Sequence, residues 1–314
     1  RRVILGLGAI EDDVPPVDKQ TRAGRKEFQL EMDGWLCQRH GWVQCQVLGH
    51  DHLHPFQINA MALLMLALVQ MRCEKAAIEG NLDEMRRYLE QARAAGTELA
   101  CFPEMNITGY IDPQQHPEAV IPIDGPAVGR VCEMSREYGM AIIAGLVEGN
   151  PSGRPFITQL VAQQGRIIAH YRKMTIKEDE AAWFSPGHEQ PLFEIKGIKC
   201  GLTICADIDE PRIFKGLAQK GAELVIECAA PGLYGDPKTR DWQDGYDWWK
   251  DECFGKLRHY AADNGIHIAV ATQAGRTSDE DFPGGGYLFS PQGRCLAQSP
   301  GWGEGLLLAE VSVP

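Results

Sequence analysis

"GIKCGLTICADIDEPRIFKGLAQKGAELVIECAA", Gly197 to Ala230, carries the main clue to the fold. An apolar run ends on Cys205, and three acids and Pro211 follow. Proline suits the first turn of a helix and glycine the position just past its last, so "PRIFKGLAQKG" reads as a helix closed by Gly221. "AELVIECAA" is a second apolar strand. Continuous apolar strands that alternate with a helix point to a sheet covered by helices. Cys205 itself has two readings, a buried thiol that ends a core strand or a nucleophile held at the strand's carboxyl edge. Buried free cysteines are common, so its own neighbourhood leaves both open.

The alternation extends outward from this unit. The apolar run Ala60 to Val69 contains the strand "MLALVQM", and "GNLDEMRRYLEQARAAG" follows with Leu82, Met85, Leu89 and Ala92 on one helical face. "TELACFPE" reads as a strand, "PAVGRVCEMSREYG" as a helix and "MAIIAGLVEG" as a buried strand. "ITQLVAQQGRIIAHYRK" is predicted to be a hairpin turning at Gln164 and Gly165. Past Ala230, "DWWKDECFGKLRHYAADNG" predicts a helix burying Trp249, Phe254, Leu257 and Ala261. "IHIAVATQAG" is a further buried strand and "GYLFSPQGRCLAQS" a final hairpin. Together these predict an α/β fold of mixed sheets, each covered by helices on one face. Residues 1–60 lack this rhythm and are expected to be an amino-terminal extension dispensable for catalysis, ahead of a domain over 61–314.

Composition narrows the function. A chain of 314 residues, 44% hydrophobic and 24% charged, has the length and balance for a soluble protein with a sizeable core. Its formal charge of −12 argues against binding to nucleic acid or an anionic membrane, so the expected partner is a small-molecule substrate. Ten cysteines scattered singly are reduced, cytoplasmic usage rather than a disulfide framework. "HDHLH" sets His50, His52 and His54 on one side of an extended segment, but no further ligands follow. A loop without metal is expected there. No signal peptide is expected, and the longest apolar run falls well short of the roughly 20 residues of a membrane span.

The chemistry starts from strand ends. A thiol that attacks an amide needs a base for its proton and a cation or amide dipoles for the oxyanion. Glu104 in "ELACFPEMNITGY", Lys173 in "RIIAHYRKMTIKEDE", Cys205 in "GLTICAD" and Glu148 in "IIAGLVEG" each stand just after or at the end of an apolar strand. A cysteine near a lysine and a helix start is expected to have a depressed pKa, and a glutamate in a closed pocket a raised one. Asp207 reads as a structural hydrogen-bond acceptor. The tryptophans of "DWQDGYDWW" suit helix packing, a pocket or an interface.

"FPE" with "TGY", "YRK" with an acidic loop and "FSPG", and "C-x-D" before a Pro-initiated helix occur in this order. In this the chain resembles the nitrilase superfamily, the carbon-nitrogen hydrolases, in its amidase-like branch, from about Met65 to Val313. The resemblance implies a four-layer αββα sandwich and a homodimer or higher homo-oligomer, with no cofactor. It implies hydrolysis of a small linear amide or N-carbamoyl compound through a thioester. By position, Glu104 would be general base and then acid, Lys173 the oxyanion stabiliser and Cys205 the nucleophile. Glu148 matches the family's second glutamate, which helps position Lys173 or substrate. Asp209 and Ala229 are substrate-pocket candidates. Relatives often carry Arg where this chain has Asp209, and Glu where it has Arg212, so substrates with a free carboxylate near the scissile bond are expected to be disfavoured. A nitrilase, an amide-forming acyltransferase and an inactive binding homologue are the alternatives.

Overall fold

The computed structural model describes residues 62–177, 180–233 and 235–313. The amino-terminal extension and its three histidines lie outside the described residues. In chain order the elements begin β1 (Ala62–Gln70), α1 (Ile78–Ala94), β2 (Leu99–Cys101), α2 (Pro126–Tyr138), β3 (Ala141–Glu148), β4 (Phe156–Gln163) and β5 (Arg166–Arg172). Then follow β6 (Phe193–Ile195), β7 (Ile198–Ile204), α3 (Pro211–Gln219), β8 (Leu224–Ala229), α4 (Trp242–Glu252) and α5 (Arg258–Asn264). The chain closes with β9 (His267–Thr272), the short ribbon β10 (Ala274–Arg276) and β11 (Asp281–Pro283), and β12 (Tyr287–Phe289), β13 (Cys295–Gln298) and β14 (Gly305–Val313).

Two six-stranded mixed sheets result, in the orders β14-β1-β2-β3-β4-β5 and β13-β12-β9-β8-β7-β6. Strand alternation explains the layering. In β1, Leu64, Leu66 and Leu68 enter the core between the sheets, while Ala67 and Val69 pack under α1 and α2. In β8, Leu224, Ile226 and Cys228 face the same central core, and Val225 and Ala229 turn toward the layer of α3, α4 and α5. The later part of β1 and all of β8 are thus buried on both faces, which is why these segments read as unbroken apolar runs. The four-layer αββα sandwich is the architecture expected.

Two local features refine the reading. The β4–β5 turn falls on Gln164 and Gly165, whose φ values of 51° and 86° match the twist of a tight hairpin. The predicted helix over 247–265 starts earlier, at Trp242, where Asp241 accepts a capping bond from Gln243 N at 2.8 Å. It passes through a π turn at Cys253–Leu257. Its buried residues Trp249, Cys253, Leu257 and Ala261 repeat every four positions, and this spacing gains about 40° per step on an α-helix. The wider π turn takes that drift back and keeps all four on the sheet. Phe254 remains half-buried, edge-on to Tyr287 and Phe289 with ring centroids at 5.7 and 5.2 Å. Among the described residues no helix is long and apolar enough to cross a membrane.

Some buried strand residues are polar. Glu227 of β8 is fully buried, and neither carboxyl oxygen has a hydrogen-bond partner among the described residues. Burial holds its carboxyl well above the ordinary range, and Thr203, directly across in β7, only tempers this. The sign follows from linkage. Above about pH 4.5 the unfolded chain releases this proton while the folded one keeps it, so stability falls with rising pH until the folded pKa is reached. The slope for one such group is about 1.4 kcal/mol per pH unit. Glu227→Gln is therefore expected to match wild type near pH 4 and to exceed it increasingly as pH rises, in denaturant melts run at several pH values. A difference that stays constant across that range would show that Glu227 ionises normally.

Candidate active site

Cys205, Lys173 and Glu104 arrive from three strand ends at one edge of the sandwich. β2 and β5 point the same way in the first sheet, and β7 and β8 are parallel in the second. Their carboxyl ends therefore share an edge, the usual place for a ligand site in an α/β sheet. Glu104 follows β2 by a short turn, Lys173 follows β5 directly, and Cys205 follows β7 directly.

Cys205 has φ +45°, left-handed backbone on a residue with a side chain. Such a conformation costs about 1–3 kcal/mol and needs support. Asp207 supplies it, accepting from Ile204 N at 2.9 Å, Thr175 N at 2.8 Å and the Tyr171 hydroxyl at 2.7 Å. This fully used, buried carboxylate is a structural acceptor.

Lys173 is buried with Glu104 Oε1 at 3.0 Å from its Nζ and both Glu180 oxygens at 2.8 and 3.0 Å. The second Glu104 oxygen accepts from Ala230 N at 3.0 Å. Burial alone would lower the Lys173 pKa, but Glu104 and Glu180 hold it well above its ordinary value. It stays a cation. Burial pushes Glu104 up to about 7 against the opposing pull of Lys173. The Cys205 thiol also rises, through burial first and then the nearby Glu104, with Lys173 opposing. This reverses the depressed thiol expected from sequence: desolvation and the carboxylate outweigh one ammonium.

The glutamate placed beside Lys173 is not Glu148. Arg172 donates to Glu148 Oε2 at 2.8 Å and Oε1 at 2.5 Å, and Thr158 Oγ1 donates at 2.6 Å. Although burial opposes it, these bonds hold Glu148 below its ordinary pKa. Strand alternation accounts for the difference, since Arg172 and Lys173 are neighbours in the chain and point opposite ways. Glu148 anchors the residue before Lys173, and Glu180 holds its ammonium. Glu180 also accepts from the Tyr110 hydroxyl at 2.6 Å and from Lys177 N at 3.3 Å. Sequence signalled this residue only as one of three consecutive acids, 178–180, in the loop after Lys173.

The pocket candidates fare differently. Ala229 packs its Cβ into the helix-covered core of the second sheet, and it is the next residue's amide that reaches the site. Asp209 pairs with Lys177 and with Lys256 Nζ, the latter at 2.7 Å. Two ammonium groups meet its charge. The like-charge barrier against anionic substrates thus loses its basis.

The carbon-nitrogen hydrolase family pattern matches residues 65–314. The chain belongs to the carbon-nitrogen hydrolase family. Among curated relatives of this hydrolase, one from Mycobacterium tuberculosis is 29% identical over 269 residues, 80% of this chain and 90% of its own. The 2-oxoglutaramate amidase of Bacillus subtilis is 27% identical over 74% of this chain and 85% of its own. The crystal structure of an amidase from Nesterenkonia superposes with a TM-score of 0.68 at 26% identity, covering 79% of this chain and 90% of that one. A variant of that amidase carries the acetamide moiety of fluoroacetamide covalently on its active-site cysteine. The chain is thus a hydrolase of carbon-nitrogen bonds in the amidase-like branch of the nitrilase superfamily.

Proposed function

We propose that this hydrolase cleaves a small linear amide or N-carbamoyl compound through a thioester on Cys205. The observation that carries the reading is the buried Glu104 carboxyl bonded to Lys173 Nζ at 3.0 Å beside the thiol of a cysteine in left-handed backbone. The raised thiol is not ionised in advance, so Glu104 takes its proton as Sγ attacks the carbonyl carbon. The carbonyl π electrons move to oxygen, and the Lys173 ammonium stabilises that oxyanion. Collapse of the tetrahedral adduct re-forms the carbonyl and breaks the C–N bond. Ammonia leaves with the proton returned by Glu104. Water then attacks the thioester, Glu104 accepts its proton, and the acid departs as the thiol is restored. Glu180 keeps Lys173 aligned between these steps.

The test is intact-protein mass spectrometry after incubation with a slowly hydrolysed amide, read for the added mass of its acyl group. One adduct on Cys205 is expected in wild type and none in Cys205→Ala. An adduct on another cysteine, or an equal adduct in the variant, removes the thioester reading. Ammonia release from amides against nitriles separates an amidase from a nitrilase.

A further inference from the structure

Glu104 is delivered by a strained turn, and the support for that turn comes from beneath. Met105, the next residue, has φ +49°, again left-handed backbone on a residue with a side chain. Under it lies Gln159 of β4, fully buried between the sheets, directly opposite Gly145 of β3 and Tyr171 of β5. An amide in an apolar core is costly unless it is bonded. Gln159 Nε2 donates to the Phe102 carbonyl at 3.0 Å and, more weakly, to the Pro103 carbonyl at 3.4 Å. Those are the two carbonyls that precede Glu104.

Gly145 closes the arrangement. A Cβ added there would lie 2.4 Å from Gln159 Oε1 and 2.4 Å from Met105 N, so only glycine lets the amide and the turn approach one point. Its own N–H donates to Asn106 Oδ1 at 2.7 Å, and its carbonyl accepts from Ile107 N at 2.9 Å. The turn is gripped on both sides of Glu104.

We propose that Gln159 is a positioning residue for Glu104, holding the Phe102–Pro103 backbone so that the carboxylate bridges Lys173 Nζ and Ala230 N. This rests on the reading of Glu104 as general base. An apolar side chain would fill the same space without a donor, and its loss would leave both carbonyls unbonded and the turn free to relax. Because the effect acts on the placement of a base, it falls on kcat rather than on substrate binding.

The test uses Gln159→Met, close in volume and without an N–H, in the wild-type and Glu104→Gln backgrounds. In wild type, kcat is expected to fall by about tenfold or more with KM within about twofold. Alkylation of Cys205 by iodoacetamide, which needs no turnover, is expected to slow likewise, and in the Glu104→Gln background the same change is expected to have no further effect. Gln159→Asn keeps the amide one methylene short and is read the same way if the methionine variant does not fold. An inactive Glu104→Gln enzyme beside a wild-type-like Gln159→Met, or an equal loss in both backgrounds, overturns the clamp alone. A fully active Glu104→Gln enzyme overturns the assignment of the base, and the clamp with it.

Discussion

Cys205→Ala is expected to lower kcat/KM by at least about 10³-fold while the melting temperature stays within a few degrees of wild type. The two halves of this result have separate causes. Sγ supplies the only bond that the substrate carbon forms with the protein in the proposed reaction, and a methyl group has no lone pair to replace it. The fold depends instead on Asp207, whose bonds to Ile204 N, Thr175 N and Tyr171 hold the elbow whatever side chain stands at 205. Alanine tolerates the left-handed φ of +45° about as poorly as cysteine does, so the backbone cost is unchanged by the substitution. Steady-state kinetics with a short amide, paired with calorimetry, reads both halves. Activity within about tenfold of wild type would assign the chemistry to another residue.

Legibility of the fold tracked local patterning. β3, β8, β9 and the later part of β1 are buried on both faces and their apolar runs mark them as strands, whereas the short β6 carries no such run. β14 is different. Its first residues are half-buried or exposed and only Ala309, Val311 and Val313 are buried, and its partner β1 lies at the other end of the described chain. No short-range signal in "GLLLAEVSV" announces that pairing. The π turn at Cys253–Leu257 was equally silent, because a four-residue spacing fits a helix in sequence and shows its drift only against a fixed sheet.

The site divides the same way. Glu104, Lys173 and Cys205 each follow a recognisable strand, so the sequence marks them as strand-end residues. Glu148 follows one too, yet its carboxylate is taken by Arg172, a competition that sequence position alone does not reveal. Glu180 sits in a loop with two acidic neighbours, and only folding selects the one that reaches Lys173. Asp209 shows the hazard of reasoning from charge without partners. Its charge is legible in the sequence, but Lys177 and Lys256, which pair with it, come from parts of the chain distant in sequence.

The pH profile of wild type is expected to turn over at an acid limb near 7, and Glu104→Gln is expected to lower kcat/KM by about 10²- to 10⁴-fold. Burial raises Glu104 to about 7, and only its ionised form accepts the thiol proton. Below that value the base is already protonated, so kcat/KM falls about tenfold per pH unit as pH drops. No alkaline limb from Lys173 is expected in the neutral range, because Glu104 and Glu180 keep its ammonium protonated above its ordinary value of 10.5. The limb belongs to the coupled set of Glu104, Lys173 and Cys205 rather than to one carboxyl in isolation. Its link to Glu104 is therefore tested by substitution. Glutamine keeps the shape and offers an acceptor to Lys173, but it takes no proton, so the limb should vanish along with most of the activity. A limb near 4.5 in wild type would mean that water reaches Glu104 and restores its ordinary pKa. A limb that persists unchanged in the glutamine variant would place the base elsewhere, with Glu180, the other carboxylate on Lys173, as the next residue to replace.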